Sequence, residues 1–322
     1  VKIVAALGGN AILERGEKPD SEVQERHVSV AVTALGPLAR GHDLLITHGN
    51  GPQVGMLALE SELDPALSHP YPFDVLGAQT QGMIGYWLAR ALHAEVPGRP
   101  VGCLICQTLV RGDDPAFASP AKFVGPGYDE DQAVSLAGSR GWTVRKDGSR
   151  WRRVVASPEP VELLELPLIE ALLATGAIVI CAGGGGIPVV RQPDGDGLAG
   201  VDAVVDKDLT SALLARSVGA DMLLLLTDVP AVYDGFGTAD SRPIETATVA
   251  ELRGRGFRGV VPLGQHGDLM PAGSMGPKVE AACRFVEATG KKAAIGRLED
   301  AEAMFLGKAG TTVVPNGAPD SV

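Results

Sequence analysis

The feature that most constrains this chain is a repeated unit: a short, continuous apolar run that ends in glycines and is followed by a helical pattern. Val1–Leu7 runs into Gly8-Gly9-Asn10, Asp43–His48 into Gly49-Asn50-Gly51, and Ala177–Ala182 into Gly183-Gly184-Gly185-Gly186. A strand that is apolar at nearly every position is buried on both faces, and such strands separated by helices make a mostly parallel sheet covered on both sides. The expected class is therefore α/β. The spacing predicts helices over 21–40, from Pro52, over Asp74–Ala94, Val161–Thr175, Asp208–Val218 and Pro277–Ala288, with a short one near Asp300. Further strands are expected at Val101–Val110, Asp221–Leu226, Lys292–Ile295 and Thr311–Val314. A length of 322 residues allows two units or one large α/β domain.

One stretch breaks this rhythm. Residues 112–160 are rich in Gly, Pro and charge, and carry Trp142, Trp151 and the basic cluster Arg150, Arg152, Arg153. No long apolar helix is apparent there. Trp142-Thr143-Val144 and Trp151–Val155 flank a Lys146-Asp147-Gly148-Ser149 turn, which reads as a hairpin in a small β-rich subdomain.

The net charge of −11 and pI of about 5.0 argue against nucleic acid or an anionic membrane as the main partner. No apolar run reaches the ~18 residues of a spanning helix, and Val1–Leu7 meets glycines too soon for a signal peptide. A cytoplasmic protein is expected. Cys103 and Cys106 form a C-x-x-C, but they lie in what reads as a buried strand, and no second pair completes a zinc site. Cys181 and Cys283 read as small core residues.

In an open parallel sheet, ligands bind beyond the carboxyl ends of the strands. Glycine there lets backbone N–H groups approach an anion, and a following helix adds the partial positive charge of its N-terminus. Three such turns in one sheet point to a nucleotide with its phosphates. The Walker pattern is absent: Gly290-Lys291 and Gly307-Lys308 lack the following Ser or Thr. Gly49-Asn50-Gly51-Pro52-Gln53-Val54-Gly55 misses the dinucleotide fingerprint by one residue in its last spacing.

Lysines are scarcer than arginines here, so their placement is informative. Lys207, in Asp206-Lys207-Asp208, and Lys278, in Gly276-Pro277-Lys278, both sit at expected helix starts. A lysine is locally unfavourable there: it is either a solvated charge beside a cap made by Asp206 or Asp208, or an ammonium held near a bound phosphate, and two such lysines favour the second reading. Lys122 lies in the irregular stretch. No His-Glu-x-x-His and no Gly-x-Ser-x-Gly occurs; His48 reads as a polar strand-end residue, and Glu60 and Glu62 as solvated surface. Phosphoryl transfer needs positioning and positive charge rather than a covalent nucleophile, and the glycine turns and lysines supply those parts.

Taken together, Ala6–Ala11, Thr47–Gly55, Thr80–Leu88, Val154–Pro160, Gly183–Pro188, Val204–Asp208 and Gly273–Ala281 resemble, in order and over essentially the whole chain, the carbamate kinases of the amino-acid kinase superfamily. The resemblance implies a three-layer α/β/α sandwich around a mostly parallel, eight-stranded open sheet, the amino-acid kinase fold, with a small protruding subdomain. It implies one domain over 1–322, in which 1–111 and 161–180 hold carbamate and the phosphoryl group, 112–160 is a lid, and 181–322 binds the nucleotide. It implies reversible transfer between ATP and carbamate to give ADP and carbamoyl phosphate, with Mg2+, in a homodimer. Carried over, Lys122, Lys207 and Lys278 would surround the phosphoryl group and Asp208 would organise the lysines rather than act as a base. Gly8, Gly9, Asn10, Gly49, Asn50 and Gly51 would donate to the phosphoryl group. Gly183, Gly184, Thr227, Asp228, Val229, Tyr233, Met275 and Gly276 would frame the nucleotide. No metal ligand is assigned. Many amino-acid kinases carry a lysine where this chain has Ala6; carbamate kinases share that gap, which adds weight to Lys122. Asp202 replaces the usual Glu before the Asp-Lys-Asp, a mild change. Alternatives left open are an acetylglutamate or other amino-acid kinase of the same fold, and a nucleotide-binding regulator without turnover.

Overall fold

The computed structural model describes residues 1–14, 16–192, 195, 197–236, 240–255 and 275–317. Of the Gly273–Ala281 motif, Gly273 and Ser274 lie outside the described residues. The chain is built on an eight-stranded sheet in the order Thr246–Thr248, Thr311–Val314, Lys292–Arg297, Met222–Thr227, Lys2–Leu7, Asp43–His48, Ile178–Ile180, Val101–Cys103. Every neighbouring pair is parallel except Lys292–Arg297 against Thr311–Val314.

The reason for the unbroken apolar strands is plain in the packing. Side chains alternate across the sheet, and each face has its own core. Val4, Ala6, Leu223 and Leu225 pack with Leu209, Val279 and Phe285 from the helices Lys207–Ser217 and Met275–Thr289. Ile3, Ala5, Leu224 and Leu226 pack with Val28, Leu35, Ile84 and Leu88 from the helices Ser21–Gly41 and Phe73–Glu95. The result is a three-layer α/β/α sandwich. Among the described residues no helix is long and apolar enough to cross a membrane.

The expected single strand Val101–Val110 is two. Val101–Cys103 edges the main sheet, whereas Gln107–Leu109 joins a separate four-stranded sheet. The break is pinned by side chains distant in sequence. Gln81 both donates to the Cys106 carbonyl and accepts from its N–H, and Glu165 accepts from the Gln107 N–H. Cys103 is consequently exposed, not buried, while Cys106, Cys181 and Cys283 are buried. The expected helix Val161–Thr175 begins later, at Leu166, because Glu162–Leu163 pairs with Gln107–Leu109.

Residues 112–160 form an ordered subdomain. Its three strands lie in the order Lys122–Tyr128, Arg150–Val155, Thr143–Asp147. The hairpin turns tightly, with Asp147 opposite Arg150 and Gly148 at φ +61°. The subdomain also contains a helix, Glu130–Arg140, closed at its start by a reciprocal cap between Asp129 and Gln132. The subdomain packs on the body at Gly55, where a Cβ would come within 2.3 Å of Gly125 Cα. Val124 and Val155 join Val54, Ala58, Phe73 and Leu76 in a small apolar cluster. Beside it, Glu62 receives Arg140, Arg153 at 2.9 Å and the Trp142 indole N–H at 3.2 Å, so it is a docking residue with a side chain only 11% exposed, not solvated surface.

Candidate active site

The three glycine turns lie side by side at the carboxyl edge of the sheet. The Gly49 N–H donates to the Leu7 carbonyl at 2.9 Å, and the Gly8 N–H to that of Leu226 at 3.0 Å. A Cβ on Gly49 would sit 2.8 Å from Gly9 N, one on Gly183 2.3 Å from His48 Nε2, and one on Gly184 2.2 Å from Asn50 Nδ2. These glycines are required because the turns stack against one another. Gly51 and Gly276, by contrast, have open space at the Cβ position. Ala182, at φ +50°, is the one described non-glycine residue with left-handed backbone. Gly183 and Gly184 thus lie against His48 and Asn50, next to the residues expected to hold the phosphoryl group.

The charged centre is built on the start of helix Lys207–Ser217. Asp206 caps it: Oδ1 accepts from the N–H groups of Asp208 at 2.9 Å and Leu209 at 3.2 Å. Capping leaves Lys207 and Asp208 in the first turn, both buried. Asp208 Oδ1 lies 2.7 Å from Lys207 Nζ, and its Oδ2 accepts from Lys278 Nζ at 3.1 Å. Lys278 itself is buried in the first turn of Met275–Thr289, and Lys122 reaches in from the 112–160 subdomain to donate to Asp206 Oδ2 at 2.6 Å. Sequence positions 122, 206–208 and 278 are thereby brought into one cluster. Three ammonium groups face two carboxylates, which leaves one net positive charge at full ionisation.

Burial alone would raise the Asp208 pKa, but Lys207 and Lys278 overcome it and hold the carboxyl well below its ordinary range. It stays ionised and is a poor proton acceptor. Burial, reinforced by Lys278, lowers the Lys207 pKa against the pull of Asp208. His48 is pushed down to about 4, chiefly by burial, despite its contact with the Gly49 carbonyl. It is a neutral packing group near neutral pH.

The turns and the charged centre are tied together. Asn10 Nδ2 donates to Asp228 Oδ2 at 2.8 Å, joining the first turn to the end of strand Met222–Thr227. The Asp228 pKa is lowered against its partial burial by Asn10, Thr227 and the nearby Lys278. Asn50 donates to Thr80, and the hydroxyls of Thr108 and Thr210 both donate to the Gly185 carbonyl. Further out, Val229 follows Asp228, and Tyr233 stands 6.2 Å from the exposed ring of Phe236. Met275 and Gly276 open the helix that carries Lys278. Asp206 and Glu62 were not among the expected site residues. The Asp206 cap is legible in the sequence; its bond to a lysine 84 positions away is not.

N–H-rich turns and buried ammonium groups at the carboxyl edge of a parallel sheet, with no activated nucleophile among them, define a phosphotransferase. The profile of the amino acid kinase family matches residues 1–297, and the chain belongs to that family. Within it, the carbamate kinase of Rhizobium meliloti (strain 1021) is 48% identical over 316 residues, 97% of this chain and 93% of that one. The carbamate kinase from Giardia lamblia bound to citric acid superposes with a TM-score of 0.87 at 37% identity, covering 98% of each chain. The same Giardia enzyme bound to AMP-PNP gives 0.85 at 37% identity over 98% of each. The chain belongs with the carbamate kinases.

Proposed function

We propose that this site catalyses the reversible reaction of ATP with carbamate to give ADP and carbamoyl phosphate by direct in-line transfer. A carbamate oxygen forms a bond to the γ-phosphorus as the bond to the β,γ-bridging oxygen breaks, and that electron pair leaves on ADP. Carbamate is already an anion, so no general base is required. Lys122, Lys207 and Lys278 neutralise charge on the migrating group. Gly9, Asn10, Asn50 and Gly51 donate to its oxygens through N–H and amide groups; Gly8 and Gly49, expected from the sequence to do the same, instead spend their N–H groups on the Leu226 and Leu7 carbonyls and hold the turns in place. Asp208 spaces Lys207 and Lys278 and opposes the effect of burial on the Lys207 ammonium group. Gly183 and Gly184 support the phosphates, while Thr227, Asp228, Val229, Tyr233, Met275 and Gly276 frame the rest of the nucleotide. Magnesium enters with the nucleotide as its phosphate complex, since Mg2+ is commonly held by phosphates, waters and one or two carboxylates. Asp206 and Asp208 are already engaged with lysines.

The division of labour expected from the sequence is retained in this reading: 1–111 and 161–180 hold the carbamate and phosphoryl group, 112–160 covers the site, and 181–322 serves the nucleotide. A cytoplasmic homodimer is its setting, which light scattering after gel filtration would test. The observation that carries the proposal is the buried lysine–aspartate cluster at the sheet edge, in a chain 48% identical to a carbamate kinase. Purified protein with Mg2+, ADP and carbamoyl phosphate is expected to form ATP, read by luciferase. No ATP, or activity with N-acetylglutamate but not carbamate, would overturn it.

A further inference from the structure

We propose that Asp206 is a positioning residue for catalysis, whose single carboxylate sets the lid lysine in register with the fixed charges of the body. The two oxygens have different partners. Oδ1 is committed to the helix that carries Lys207 and Asp208, through the N–H groups of Asp208 and Leu209. Oδ2 holds Lys122 at 2.6 Å. The residue is 7% exposed, so the carboxylate side of this pairing is shielded from water. Lys122 is the cluster lysine with no bond to Asp208, and its side chain is 34% exposed, against 9% for Lys207 and 4% for Lys278.

The chain around Asp206 supports the same role. Where the lid returns to the body, Ala156 bridges Ala203, and the Val204 N–H donates to the Ala156 carbonyl at 3.0 Å. On the entering side, the Ala121 N–H donates to the Val155 carbonyl at 3.1 Å. The stems of the lid are thus tied to the segment leading into Asp206, and the carboxylate completes the register at the side-chain level. Burial works against the charge on Lys122, but Asp206 more than offsets it and raises its pKa, so the lysine is held as a cation in the direction of the cluster. This inference rests on the proposed reaction for its kinetic part only.

Asp206→Asn separates the two jobs, because Asn caps a helix as well as Asp but carries no charge. Expected in Asp206→Asn is a kcat for ATP formation about 10- to 100-fold below wild type, in the range of losing one preorganised electrostatic contact. The KM for ADP and the melting temperature should stay close to wild type. In a Lys122→Ala background the same change should cost less than about 2-fold, because the partner it positions is gone. A wild-type kcat in Asp206→Asn, or an equal loss in both backgrounds, overturns the proposal. An amine-acylating reagent with readout by mass spectrometry gives an arm that needs no activity. Labelling of Lys122 should rise at least about 3-fold in Asp206→Asn, since loss of the carboxylate lowers the lysine pKa. Unchanged labelling would show that Asp206 does not hold Lys122. If the wild-type protein makes no ATP, the proposed reaction fails while the labelling result still decides the Lys122–Asp206 pairing.

Discussion

The cluster receives its positive charge by two routes, and they differ in kind. Lys207 and Lys278 sit in the first turns of two body helices whose apolar sides lock into one core, and both meet the carboxylate of Asp208. Their positions are fixed by packing that formation of the fold already requires. Lys122 arrives on a three-stranded sheet that rests on the body through a small apolar cluster, the Glu62 contacts and Asp206. Its position depends on docking. The lesson is that equivalent ammonium groups can be supplied by a rigid frame or by a docked part, and that the second kind needs polar residues of its own to hold register.

The largest expected effect tests the charges themselves. Lys278→Ala and Lys122→Ala should each reduce turnover by more than about 100-fold without unfolding the protein, as for loss of a preorganised electrostatic donor. Near-normal turnover in either, with an intact circular dichroism spectrum, would remove that lysine from the mechanism. A smaller effect separates frame from docked part. Glu62→Gln keeps an acceptor for Trp142 but removes the charge that gathers Arg140 and Arg153. It should cost about 3- to 10-fold in kcat and hasten proteolytic cleavage within 112–160, by making a local opening less unfavourable. Faster cleavage with unchanged kcat would mean that docking at Glu62 is irrelevant to Lys122.

The smallest effect concerns the frame. Burial depresses His48 to about 4, so between there and the unfolded value near 6.5 the unfolded chain binds more protons. Its contribution to stability is complete above the unfolded pKa and is lost as pH falls through that window, with a slope of at most about 1.4 kcal/mol per pH unit. Urea denaturation at several pH values should show His48→Asn less pH-dependent than wild type there. An equal slope would assign the acid sensitivity to other groups.

How much of this was legible depended on how local the cause was. Continuous apolar strands can be read from seven residues because burial on both faces leaves few polar positions, and those near the strand ends. Asp206 as a cap needs only the next three residues. The hairpin of the 112–160 subdomain could be read from its turn, yet the helix Glu130–Arg140 could not be seen by periodicity, since Ala133 is its one buried residue. Its real signature was the Asp129–Gln132 cap. The division of Val101–Val110 was hidden for a different reason: Gln81 and Glu165, remote in sequence, decide it.

The sequence by itself determined the parallel α/β sheet, the glycine turns at its edge, the lysines worth attention and the kinase family. Each of these rests on short-range pattern or on motifs spaced along the chain. Only the tertiary structure decided what those residues do to one another. It turned several glycines from ligand-facing positions into sites where two turns touch, made Glu62 a half-buried docking anchor, and joined Lys122 to Asp206. Those outcomes follow from which surfaces meet when the two cores and the 112–160 subdomain pack together, and burial then makes charge pairing compulsory where in an open chain it would be weak.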